Sequence, residues 1–120
     1  MKLCIPAESP QLEAQVDARL GRAACFVLVD SESGKMLESI PNEQNQQAAS
    51  GAGIQSGQTI AQTGAEAVLC GNCGPKAFRV LQAAGVKVYL GASGTVADAV
   101  GAFKEGKLEE AGEANVEGRW

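Results

Sequence analysis

The chain has 120 residues, with 15 glycines, four cysteines and no histidine. The missing imidazole excludes a Ser-His-Asp triad, a Cys-His dyad and any histidine-bearing zinc site. Ten Lys and Arg against fourteen Asp and Glu leave a net charge of -4, which opposes unspecific attraction to nucleic acid or to an anionic membrane leaflet, and a chain this long buries about two-thirds of its extended surface, enough for one core.

From the amino end, residues 2 to 6 (Lys-Leu-Cys-Ile-Pro) are short, apolar and β-compatible. They contain no long signal-type apolar region, and no later run approaches the ~20 apolar residues of a spanning helix. The expectation is a cytoplasmic protein without a membrane partner, its cysteines reduced rather than bridged. Residues 8 to 22 are polar, with Val16 and Leu20 as small apolar anchors, and read as a loop. Residues 24 to 29 (Ala-Cys-Phe-Val-Leu-Val) are a continuous apolar run of strand length. The cluster Asp30-Ser31-Glu32-Ser33-Gly34 is a turn, and residues 35 to 40 return as a second strand closed by Pro41, so residues 24 to 40 form a hairpin. Cys4 and Cys25 fall within these buried strands.

Residues 42 to 53 are rich in side-chain amides and long for a loop, which predicts a mobile binding segment. Residues 54 to 63 turn helical, with Gly64 as the stop and Gly57 as a weak point within the pattern. Two similar units follow. Residues 67 to 70 are a strand, Gly71-Asn72-Cys73-Gly74 a turn, and Pro75 the first residue of a helix that carries Ala77, Val80, Leu81 and Ala84 and stops at Gly85. Residues 86 to 90 are the next strand, Gly91-Ala92-Ser93-Gly94 the next turn, and Thr95 an N-cap with Asp98 three residues on. Val96, Ala99, Val100 and Phe103 give the last helix its apolar face, and Gly106 ends it. Alternating strands and helices imply parallel strands with right-handed crossovers. The fold class is therefore α/β, with a mixed five-stranded sheet made of an antiparallel meander plus two parallel strands. Residues 109 to 120 read as an acidic, flexible tail behind a single domain over residues 1 to 108.

Three glycine-bearing segments precede helices: Gly51-Ala52-Gly53, Gly71 to Gly74 and Gly91 to Gly94. Helix starts carry unpaired N–H groups and a partial positive charge, and together they make an anion cradle. The candidate binding residues are Gly51, Gly53, Ile54, Gly71, Asn72, Gly74, Gly91, Ser93, Gly94 and Thr95, with Arg22 and Lys76 as cations. The spacing matches neither a dinucleotide fingerprint nor a phosphate loop. Cys70 and Cys73 flank the second turn, where a helix start favours thiolate, for disulfide exchange or for a soft metal. A four-cysteine site requires Cys4 and Cys25 to meet that pair.

Five blocks in order carry a family resemblance: Val16 to Ala24, Val27-Leu28-Val29-Asp30, Gly51-Ala52-Gly53-Ile54-Gln55, Gly74 to Tyr89 and Gly94-Thr95-Val96. Over residues 2 to 108 the chain resembles the dinitrogenase iron-molybdenum cofactor biosynthesis family. The resemblance implies a ribonuclease H-like fold and non-enzymatic carriage or assembly of metal-sulfur clusters. The implied ligand is an anionic molybdenum-copper sulfide cluster, or alternatively an iron-molybdenum or iron-sulfur precursor, and the implied partner a protein of cluster assembly or of a division-linked complex. Several members of the family carry histidine in the corresponding loop or the glycine-rich segment, and in some it is a cluster ligand. This chain has none, which leaves Cys70, Cys73 and backbone N–H groups as the hooks. Two other readings stand beside it: a thiol-disulfide or redox-sensing protein using Cys70 and Cys73, and a partner-binding module.

Overall fold

The computed structural model describes residues 1–42 and 52–112. Three antiparallel strands, β1 (Lys2–Ala7), β2 (Cys25–Asp30) and β3 (Met36–Pro41), form the meander. On the far side of β1, β4 (Ala67–Leu69) and β5 (Lys87–Leu90) continue the sheet in parallel. A sixth strand, β6 (Glu109–Glu110), pairs antiparallel with β5, and the order across the sheet is β3-β2-β1-β4-β5-β6. The five-stranded expectation is corrected by this strand. Its two glutamates show no hydrophobic alternation; they are held by Tyr89 Oη, which donates to Glu110 Oε1 at 3.3 Å, and by the N–H of Ala111, which donates to Val88 O at 2.7 Å. The tail beyond Gly112, Trp120 included, lies outside the described residues.

The helices are α1 (Ala52–Gln62), α2 (Pro75–Ala83) and α3 (Val96–Lys104). Gly64, Gly85 and Gly106 follow them at positive φ, as the sequence requires of its stops. The binding-loop expectation for residues 42 to 53 falls largely on 43–51, outside the described residues. Alternation along the strands divides the core. Cys4, Phe26, Leu28, Val68 and Val88 face one side, where Ile60 of α1 and Ala77, Phe78 and Leu81 of α2 cover them. Leu3, Ile5, Val27, Val29 and Leu69 face the other, under Val96, Ala99 and Val100 of α3. Helices therefore lie on both faces of the sheet.

Gly57 has a packing reason. A Cβ there would stand 3.1 Å from Val80 Cβ and Cγ1 and 3.4 Å from Ala77 O, so the missing side chain lets α1 lie against α2. The residue that weakens the helical pattern in sequence is the one that makes the helix pair. Among the described residues no helix is long and apolar enough to cross a membrane.

Candidate functional site

The carboxyl ends of β1, β4 and β5 share one edge of the sheet, as parallel strands must. The turn after β4 and the turn after β5 lie side by side there: the N–H of Ala92 donates to Cys70 O at 3.1 Å, and that of Gly91 to Gly71 O at 3.4 Å. Residues 8–22, expected to be a plain loop, form a strap across this edge and end in a single 3-10 turn, Leu20–Arg22. Of β1, Leu3 and Cys4 alone pair with β4, and the strap takes the place beside the end of β1. Val16 bridges Ala7, and the N–H of Asp17 donates to Pro6 O at 2.9 Å. Arg19 then bridges Asn72, whose N–H donates to Ala18 O at 3.2 Å. Gly71 makes this crossing possible, because any Cβ on it would press on Ala18.

The same strap closes the start of α3. The N–H groups of Val96 and Ala97, which would be the first unpaired donors of the helix, give to Ala14 O at 2.9 Å and Leu12 O at 3.0 Å. Those of Thr95 and Asp98 are taken by the reciprocal capping box, Thr95 N to Asp98 Oδ2 and Asp98 N to Thr95 Oγ1, both 3.0 Å. The capping box matches the sequence reading. Of the three helix starts expected to form the cradle, that of α3, preceded by Gly91, Ser93, Gly94 and Thr95, has its leading donors filled and packs on the opposite face of the sheet from α1 and α2.

The start of α2 differs. Gly74 occupies the N-cap without a side chain to bond, and Pro75 at the first position has no N–H. Among the described residues no acceptor meets the N–H groups of Lys76 and Ala77, while that of Phe78 gives to Gly74 O at 3.0 Å. Lys76 and Arg79 are exposed beside these open donors, and Arg22 ends the 3-10 turn that packs against α1 on the same face. Ile54, also exposed, stands in the first turn of α1. Arg19, not among the sequence candidates, is brought to the edge by its bridge to Asn72; its guanidinium lies 3.7 Å from Asp17 Oδ1. Gly51 lies outside the described residues.

Burial does not separate the Cys4 and Cys25 expected in the core from the Cys70 and Cys73 expected at the site. All are buried, Cys70 and Cys73 at 0 % exposure. Cys70 Sγ donates to Tyr89 O at 3.7 Å, and Cys73 Sγ to Gly74 O at 3.6 Å. Burial pushes the Cys73 thiol up to about 11. It pushes Cys70 up too, reinforced by the neighbouring Cys73 and Cys4. Desolvation is the leading cause for both, so the thiolate expected from local sequence is disfavoured. Cys25 sits on the other face from Cys4. Among the described residues no three His, Cys, Asp or Glu side chains group to hold a metal ion.

Comparison with known proteins agrees with the architecture. The sequence model of the family described as dinitrogenase iron-molybdenum cofactor matches residues 1–106. The apo form of the orange protein from Desulfovibrio gigas superposes with a TM-score of 0.90 at 41% identity, covering 96% of each chain. A putative NifB protein from Thermotoga gives 0.81 at 38% identity over 98% of each chain. An uncharacterized protein of Methanocaldococcus jannaschii is 30% identical over 111 residues, 92% of this chain and 91% of that one.

Proposed function

We propose that this chain, which belongs to the dinitrogenase iron-molybdenum cofactor family, binds an anionic molybdenum-copper sulfide cluster and carries it in cluster assembly or delivery without catalysing a reaction. The observation that carries this reading is the open start of α2, where the N–H groups of Lys76 and Ala77 meet no acceptor among the described residues, on the face that also holds Arg22. Membership of a cofactor family and likeness to a protein solved in an apo form support a ligand of this class.

A metal-sulfide cluster is a large anion with soft, weakly hydrated sulfide at its surface. Such a body is held by several N–H donors and diffuse positive charge rather than by one hard contact. Gly71, Asn72, Gly74 and Lys76 form one wall, and Arg22 with Gly53 and Ile54 the other. Gly91, Ser93, Gly94 and Thr95 keep to the rim, where they anchor the strap. Cys70 and Cys73 lie behind the open donors as protonated thiols, which favours an anion gripped by N–H groups and cations over one ligated by thiolate. A ribonuclease H-like assignment, a cytoplasmic setting and a protein partner as cluster donor or recipient belong to the same reading; the meander followed by two parallel strands supports the first.

The test is anaerobic reconstitution with tetrathiomolybdate and copper(I), followed by metal analysis and visible absorption of the desalted protein. Stoichiometric molybdenum with copper supports the assignment, and iron in their place identifies an iron-sulfur or iron-molybdenum precursor. Protein that retains none of these metals overturns it.

A further inference from the structure

Two buried polar side chains, from segments far apart in sequence, meet behind Arg22. Asn42, just past the end of β3, is 1 % exposed, and Ser56, in the second turn of α1, is 0 % exposed. Asn42 Nδ2 donates to Ala23 O at 2.9 Å and reaches Gly21 O at 3.4 Å, while its backbone N–H donates to Ala24 O at 2.9 Å. The carbonyls on either side of Arg22 are thus held by one side chain. Ser56 Oγ lies 3.3 Å from both Gly21 O and Asn42 Oδ1, so the same knot extends to α1. One residue further on, Gly57 presses α1 against Val80 of α2.

Burial of an amide and a hydroxyl is unfavourable unless their hydrogen bonds are made, and a network of this kind fixes one arrangement of the parts it joins. An apolar pair could fill the same space. It could not fix the 3-10 turn relative to α1 by direction as well as by contact. We propose that Asn42 and Ser56 are positioning residues of the candidate site: they lock the backbone of Arg22 to α1 and, through the contact of Gly57 with Val80, to the helix whose start is open. This inference rests on the reading above in taking Arg22 as a contact of the cluster; neither Asn42 nor Ser56 is required to touch it.

The experiment is a double-mutant cycle with Ser56→Ala and Arg22→Ala, read by titration of the full chain with the tetrathiomolybdate-copper anion in visible absorption and circular dichroism. Ser56→Ala keeps a good helix former in α1. It weakens binding about fivefold, the scale of one lost hydrogen bond, and alters the dichroism of the bound chromophore. In the Arg22→Ala background the same substitution has no further effect on affinity. Ile60→Val serves as the control, since it loosens the core beneath α1 and lowers the melting temperature without changing affinity. An unchanged affinity in Ser56→Ala, or an equal loss in both backgrounds, overturns the positioning role while leaving the cluster assignment intact. A wild-type chain that takes up no cluster removes the assignment, and the positioning role with it.

Discussion

Gly71 and Ala18 touch across the carboxyl edge of the sheet: a Cβ built on Gly71 would stand 3.1 Å from Ala18 Cβ and 3.2 Å from its Cα. The strap has little room to retreat, because it is bonded to Asn72 on one side and, through Val16 N to Gly94 O at 2.9 Å, to the next turn on the other. Gly71→Ala is therefore expected to destabilise the fold by about 1–3 kcal/mol, the usual cost of overpacking. Addition of Ala18→Gly should recover part of that loss. Denaturant midpoints of the two single variants and the double variant check this, and a purely additive double variant would falsify the contact.

Thr95→Ala separates stability from binding. Loss of the cap should lower stability by about 1 kcal/mol. Cluster uptake should be unchanged, because the N–H groups of Val96 and Ala97 stay bonded to Ala14 O and Leu12 O when the Thr95 side chain is gone. A fall in uptake by a folded Thr95→Ala protein would return the start of α3 to the binding surface.

Lys76→Gln removes a charge beside the open donors without touching the core. Cluster affinity at low ionic strength should fall about threefold, within the range of an exposed charge. Its dependence on salt should become shallower, since one screened contact has been removed. Titrations at two salt concentrations decide the point; parallel salt slopes for wild type and variant would place Lys76 away from the anion.

The buried thiols make the fold sensitive to alkali. In the unfolded chain Cys73 titrates at its ordinary 9.0 and in the folded protein at about 11. Between these values the folded state holds the proton that the unfolded state has lost. The contribution to stability is complete below about pH 9 and declines as pH rises toward 11. Cys4 and Cys70 are displaced in the same direction. Urea midpoints should fall across this window, and Cys73→Ala should make the fall less steep. A midpoint that does not change over the window would contradict the burial of these thiols.

What the sequence discloses here is whatever depends on neighbours a few residues apart. Thr95 and Asp98 announce a capping box by their spacing, Gly85 and Gly106 stop their helices, and the apolar run at residues 24 to 29 reads as a buried strand. Relationships between distant segments are silent. Nothing in Leu12 or Ala14 marks their carbonyls as partners of α3, and Asn42 and Ser56 look like ordinary polar residues until the fold joins them. For Cys73, local sequence suggests a lowered thiol from the helix start, while the desolvation that raises it arises from tertiary packing. Gly57 likewise reads as a flaw along one helix and as a contact between two. The strand at Glu109 and Glu110 escapes notice because two exposed glutamates have no pattern to show.

The two strand-turn-helix units resemble each other closely in sequence, yet the strap treats them unequally. By lending the carbonyls of Leu12 and Ala14 to α3, it leaves α2 as the unit whose leading donors meet no acceptor among the described residues. On the proposed function, the repeated motif offers a single valence. The chain should load one equivalent of cargo, with a saturation curve that stops at one anion per polypeptide rather than two.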